Sequence, residues 1–174
     1  MVELLRRGLI SMQKREKYEY LFGEYLNHPK IKETKNYSHH GINRYDHSYR
    51  VGLHTYNITK MLHLNYESAT KAAILHDFFL DEVDSKNAYK KLKDHPNVAV
   101  ENSKKYFNIN EMEEDIIKKH MFPITFSPPK YIEGWIVDIV DDYISIYERV
   151  VSISKRLQFN INFIIIITFI CKLF

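Results

Sequence analysis

Six side chains in this sequence have the types and placement for metal chemistry: His47, His76, Asp77, His95, His120 and Asp141. Once the chain is divided by its apolar periodicity, each falls on an inward-turned helical position or at a helix end. Imidazole nitrogens and carboxylate oxygens without thiolate suit divalent first-row ions, namely iron, manganese, cobalt, nickel or zinc, and the residue types do not choose among these. A carboxylate has two oxygens, so one of them can bridge two ions. The sharpest feature is His76-Asp77 in "KAAILHDFFLDE", where an apolar run leads straight into two ionisable groups and Phe78, Phe79 and Leu80 follow. Groups buried in such a setting require a partner or a metal. Each residue also has a plainer reading. His95 and His120 fit helix caps or surface positions, His76 and Asp77 fit a pair hydrogen-bonded to each other, and Asp141 competes with Asp138 and Asp142. No local spacing such as HExxH joins them, and no Ser-His or Cys-His arrangement offers a protein nucleophile.

The elements that must position these residues read as helices. Gly and Pro number only five each, which leaves few places to turn. A helical pattern over 11–27 stops at "NHP", and a polar connector follows over 28–42. Asn43 is a fitting N-cap for "RYDHSYRVGLHTYNITKML", where Val51, His54, Thr55, Ile58 and Leu62 form one inward face with His47 a turn earlier. "NYESATKAAILHDFF" reads as a third helix capped by Asn65. The acidic "LDEVDSKN" reads as a solvated loop. A fourth helix is expected to start just after His95, with Pro96 in its first turn. A fifth, "NINEMEEDIIKKHM", opens at Asn108 or Asn110 and carries acid first and base last, as the helix dipole favours. The sixth, "KYIEGWIVDIVDDYISIYERV", puts Val137, Val140, Asp141, Ile144 and Glu148 on one stripe. No strand pattern or internal repeat stands out, so the fold class is all-α: one helical bundle of about six main helices.

A length of 174 residues suits one domain with a substantial core. The net charge of +3 comes from scattered basic residues, which argues against a nucleic-acid partner. Cys171 is the only cysteine, so an internal disulfide and a thiolate-rich zinc site are both excluded and a reducing, cytoplasmic setting is expected. The opening "MVELLRRGLISMQKREKYEYL" has no continuous apolar stretch of the kind a signal peptide needs.

Taken together, the blocks "HGINRYDH", "ILHD", "HPNVAVENSKKYF" and "HMFPITFSPP", with a late Asp in "IVDIVDDYISIYE", resemble the HD-domain superfamily of metal-dependent phosphohydrolases. The likeness spans about 28–148 and is greatest to small bacterial members with two extra histidine blocks. It implies a first metal on His47, His76, Asp77 and Asp141, and a second on His95 and His120 with Asp77 bridging. Asp142 stands where the family often has a basic residue, so the local charge is more negative. The resemblance implies hydrolysis of a phosphate ester or anhydride of a small molecule, nucleotide being the best candidate, by a metal-bound hydroxide. A dinucleoside polyphosphate is one concrete substrate. Asp77 and Arg44 are then the catalytic residues, Arg44 as the phosphate contact one turn from His47. Lys119 is a second phosphate candidate, against its plainer role at a helix C-terminus, and His39 and His40 lie near the expected cleft. The rival reading is a non-catalytic HD-type ligand-binding or regulatory module.

The chain thus divides into an N-terminal helix (1–27), a metal-binding helical domain (28–152) and an atypical hydrophobic tail (153–174). The run Ile161–Cys171 is nearly continuous apolar but shorter than the about 20 residues that span a bilayer. It reads as a buried helix, a membrane-associating tail or the product of a shifted reading frame. A membrane-bound structural protein rests on that tail alone.

Overall fold

The computed structural model describes residues 2–39, 42–80 and 88–171. Seven α-helices run through them: α1 Val2–Leu26, α2 Pro29–Glu33, α3 Arg44–Met61, α4 Tyr66–Leu75, α5 Ala88–Tyr106, α6 Glu111–Lys119 and α7 Ile132–Cys171. The fold is all-α, as expected. One detail departs from the sequence reading: β1 (Ser38–His39) pairs antiparallel with β2 (Ile42–Asn43) in a two-residue ladder before α3. The acidic run 81–84 and His40 lie outside the described residues.

Asparagines start three helices. Asn43 accepts a hydrogen bond from the Asp46 amide at 2.8 Å, Asn65 from Ser68 at 3.1 Å, and Asn110 from Glu113 at 2.9 Å. At α6 the Glu113 carboxylate also accepts from the Asn110 amide, so two donors at the helix start are satisfied reciprocally. Asn110 rather than Asn108 is therefore the cap.

Three helix expectations are corrected. α5 begins at Ala88 and carries Pro96 inside it, so His95 sits mid-helix and not at a start. A proline in a helix removes one backbone donor, and the helix-favouring residues on both sides of it outweigh that single loss. α4 ends at Leu75, one residue before His76, so the His-Asp pair lies in the turn beyond it. On α3 the inward face is His47, Ser48, Val51, Gly52, Thr55, Tyr56 and Thr59, while His54 and Leu62 face out. The buried stripe follows a 3.6-residue period from His47. Leu62 is exposed because α3 ends at Met61 and Leu62 is its C-cap, past the last helical residue.

The main core joins α3 through α7, with Val51, Ala72, Ala73, Leu75, Phe78, Ile116, Ile117, Val137 and Ile144 at its centre. A second cluster docks α1: Tyr18, Phe22 and Leu26, one turn apart, pack on Tyr56 and Ile74. α1 approaches α3 closely because residue 52 is glycine. A Cβ there would lie 2.5 Å from the Tyr18 hydroxyl and 2.8 Å from Ile74 Cγ1, both in side chains packed without room to give. Gly52→Ala is accordingly expected to destabilise the protein by ~1–3 kcal/mol despite alanine's better helix propensity. Thermal unfolding reads this as a lowered midpoint, and an unchanged or raised midpoint would refute the close packing.

α7 runs unbroken past residue 153. Among the described residues no helix is long and apolar enough to cross a membrane.

Candidate metal centre

Helix ends set two of the histidines. The last carbonyls of a helix have no intrahelical donor, and an imidazole at the C-cap can supply one. His76 caps α4, its Nδ1 2.8 Å from the Ala73 carbonyl; His120 caps α6, its Nδ1 2.8 Å from the Ile117 carbonyl. In each neutral ring Nδ1 is then the donor, so Nε2 carries the lone pair. Both lone pairs point into the same buried space, where the two rings meet edge to face at 4.9 Å. His76 Nε2 is fully buried and has no hydrogen-bond partner among the described residues. Its nearest carboxylate oxygens are Asp141 Oδ1 at 3.5 Å and Asp77 Oδ2 at 3.8 Å.

His47 enters from the first turn of α3. Its Nε2 is 2.8 Å from Asp141 Oδ1, and its Nδ1 donates to Glu148 Oε2 at 2.9 Å. Asp141 and Glu148 are seven residues apart on α7, two turns along its inward face, and both are buried. The other oxygen of Glu148 accepts from Arg50 at 2.9 Å. Glu148 thus fixes which nitrogen of His47 is protonated and how the ring is turned. Its place on the stripe was legible in the sequence, but its role was not; a carboxylate two turns from Asp141 on an otherwise apolar stripe was the available signal.

His95 reaches in from α5. Its Nε2 lies 3.4 Å from Asp77 Oδ1 and 3.0 Å from His120 Nε2. Because His120 already donates through Nδ1, His95 is the donor across that contact. Asp77 stands between the groups: Oδ1 faces His95 and His120, the latter at 3.8 Å, and Oδ2 faces His76.

The structure brings all six sequence-predicted donors together. Three overlapping triads result: His47, His76 and Asp77; His76, His120 and Asp141; and Asp77, His95 and His120, the donor atoms of each lying within 4.8 Å of one another. The orphaned His76 nitrogen, the convergent Nε2 atoms and the all-nitrogen-and-oxygen donor set fit a divalent first-row ion. Of the three neighbouring acids on α7, only Asp141 joins a triad. Asp142 is exposed, and Asp138 is buried with its carboxyl pushed up to about 7 by burial and by the charges of Asp142 and Asp141.

Electrostatics separate the rings. Burial pulls His47 down, but hydrogen bonds to Asp141 and Glu148 outweigh it and raise the ring to about 10. His120 is driven down to about 3 by burial and by the neighbouring His76 and His95, so it stays neutral. Burial works against ionisation of Asp141, yet His76 and His47 hold its carboxyl well below the usual range.

Two cations expected near phosphate have other contacts. Arg44 is buried; its Nη1 donates to the Phe79 carbonyl at 2.6 Å, and its guanidinium lies 3.5 Å over the Phe79 ring. Phe79 in turn packs on His95, ring centres 5.6 Å apart, so Arg44 steadies the turn that presents Asp77. Lys119 is bound to Asp115 at 2.6 Å, and Asp115 also accepts from the Lys130 amide. That pair anchors the loop after α6.

The Glu148 contact carries a measurable consequence. Partners that orient a metal-ligating histidine contribute about 10–100-fold to metal affinity. Glu148→Gln, which keeps the shape and removes the charge, is expected to weaken metal binding by roughly that factor, read by competition with a chromogenic chelator. Unchanged affinity would mean that His47 needs no such support.

A family model described as HD domain matches residues 44–146, from the first residue of α3 to the middle of α7, and the match includes all six donors. No curated protein and no solved structure is matched.

Proposed function

This chain belongs to the HD-domain family, and on that premise we propose that it is a metal-dependent phosphohydrolase acting on a small phosphorylated molecule, a nucleotide by preference. The observation that carries the proposal is the division of Asp77, one oxygen facing each of two histidine groups within a single buried cluster. One metal would be held by His47, His76, Asp77 and Asp141, and a second by His95 and His120 with Asp77 shared. Divalent ions held there supply Lewis acidity toward phosphoryl oxygens and lower the pKa of a bound water toward neutrality.

The chain's own residues do the rest. Glu148 keeps the His47 proton on Nδ1, leaving Nε2 for the metal side. The Ala73 and Ile117 carbonyls do the same for His76 and His120. Arg44 and Phe79 hold the turn carrying Asp77 so that the carboxylate does not swing out of the cluster. No protein nucleophile is needed. A dinucleoside polyphosphate, cleaved at an anhydride, is a specific substrate to try, and a cytoplasmic location goes with this reading.

The test is elemental analysis of protein purified without added metal, followed by assay of manganese- or iron-loaded protein. Substrates are a phosphomonoester, a phosphodiester, nucleoside polyphosphates and a dinucleoside tetraphosphate. Near two ions per chain and turnover of one of these supports the proposal. One ion with turnover would reassign His95 and His120 to structural roles. Loaded protein that binds nucleotide without cleaving it would leave a ligand-binding module instead.

A further inference from the structure

α7 has two faces, one turned into the core and one turned outward, where the described residues make few contacts beyond Trp135 on Phe122. Val137, Val140, Asp141, Ile144 and Glu148 are buried inward, yet Trp135, Ile139, Tyr143, Ile146, Val150 and Ile153 stand exposed on the other side. Ile139 and Ile146 are 64% and 63% exposed. From Ile139 onward the exposed residues are spaced by four, three, four and three, an average of 3.5 residues per turn. That spacing makes one continuous stripe along the helix, of the a/d kind that can pack on another helix. At these exposures the stripe offers on the order of 700 Å² of apolar surface per chain, close to the about 800 Å² per partner of a standard stable interface. Scattered exposed apolar residues need no explanation, but a contiguous strip of this size marks an interaction surface.

We propose that this face pairs with the same face of a second copy of the chain, making an antiparallel α7–α7 homodimer. A self-complementary seam closes through one two-fold axis and leaves no apolar strip exposed. Charge agrees with that direction. Asp142 and Arg149 lie one heptad apart on the same flank of the stripe, and in an antiparallel pair centred near Ile146 each copy's Asp142 faces the other's Arg149. The inward face, with Asp141 and Glu148, stays within its own domain, so each copy keeps a complete set of six donors.

Sedimentation analysis of the full chain at micromolar concentration tests this. Wild type is expected to be a dimer, and Ile139→Lys with Ile146→Lys a monomer with unchanged helical circular dichroism. Tyr143→Glu alone, a milder change at the same seam, is expected to raise the dimer dissociation constant ~10-fold or more. Tyr20→Lys, at an exposed aromatic on α1, is expected to remain dimeric. A monomeric wild type would overturn the proposal, and flotation of that monomer with anionic lipid vesicles would assign the stripe to a membrane surface. A dimer that survives both seam changes would overturn it too, placing the contact elsewhere.

Discussion

Replacing Asp77 by asparagine is expected to cost metal affinity at both positions together, by more than ~100-fold, because loss of even an outer partner of a ligand costs about 10–100-fold. The substitution keeps size and shape, and it removes the charge that faces His95 and His120 through one oxygen and His76 through the other. Asparagine can offer only one carbonyl oxygen, and its amide nitrogen is a donor that cannot take the place of the second carboxylate oxygen on an ion. Hydrolytic activity should fall with metal content. His95→Ala provides the contrast: it is expected to remove one ion and keep the other. Elemental analysis of the two variants separates the cases, and an Asp77→Asn protein that keeps both ions would show that the carboxylate is a neighbour and not a bridge.

The second large effect is one of pH on the protein stripped of metal by chelation. His47 is raised to about 10, so its folded form holds a proton that the unfolded chain releases near 6.5. A raised pKa contributes stability that is fully present below about 6.5 and is lost as pH climbs toward about 10. His120 has the opposite sign: driven down to about 3, it refuses a proton that the unfolded chain accepts, so stability falls as pH drops from about 6.5 toward about 3. Asp138, raised to about 7, offsets that acid-side loss. His76, which burial pulls down but Asp77 and Asp141 raise, acts in the same direction as His47, so the stripped protein should lose on the order of a few kcal/mol from about pH 6.5 toward pH 9. A metal held there would replace the protons of His47 and His76, so loading above about pH 6.5 should release at least one proton per chain and remove the alkaline decline. Thermal midpoints across pH with and without metal check this. Parallel curves for both forms would mean that His47 is not displaced from its proton and is no ligand.

Much of this centre could be read from residue order. The helix starts at Asn43, Asn65 and Asn110 are local chemistry, an oxygen one residue before a helical run, and they were legible for that reason. Asp141 was chosen over Asp138 and Asp142 from the late Asp position of the resemblance, together with the stripe it shares with Val137 and Val140. What escaped was whatever depends on two distant segments meeting. Pro96 suggested a helix start, but the residues before it extend α5 backward, so His95 reaches the cluster from mid-helix. Glu148 reads as one more stripe residue until α3 brings His47 and Arg50 against it. Arg44 precedes His47 by one turn, and residue order does not show that its Nη1 also meets the Phe79 carbonyl, 35 residues away. Leu62 keeps the period of the stripe, but α3 ends at Met61 and leaves it as the exposed C-cap.

The caps formed by His76 and His120 have a further consequence, best expressed as amide exchange. Each ring closes the last turn of its helix through Nδ1 while offering Nε2 to the interior, so fraying of that turn and loosening of a ligand are one event. The backbone amides near Ala73, Leu75, Ile117 and Lys119 therefore report on the cluster without any catalytic assay. They should exchange with solvent deuterium more slowly once metal is bound, in step with one another though they belong to different helices, because opening either end breaks the same cooperative unit.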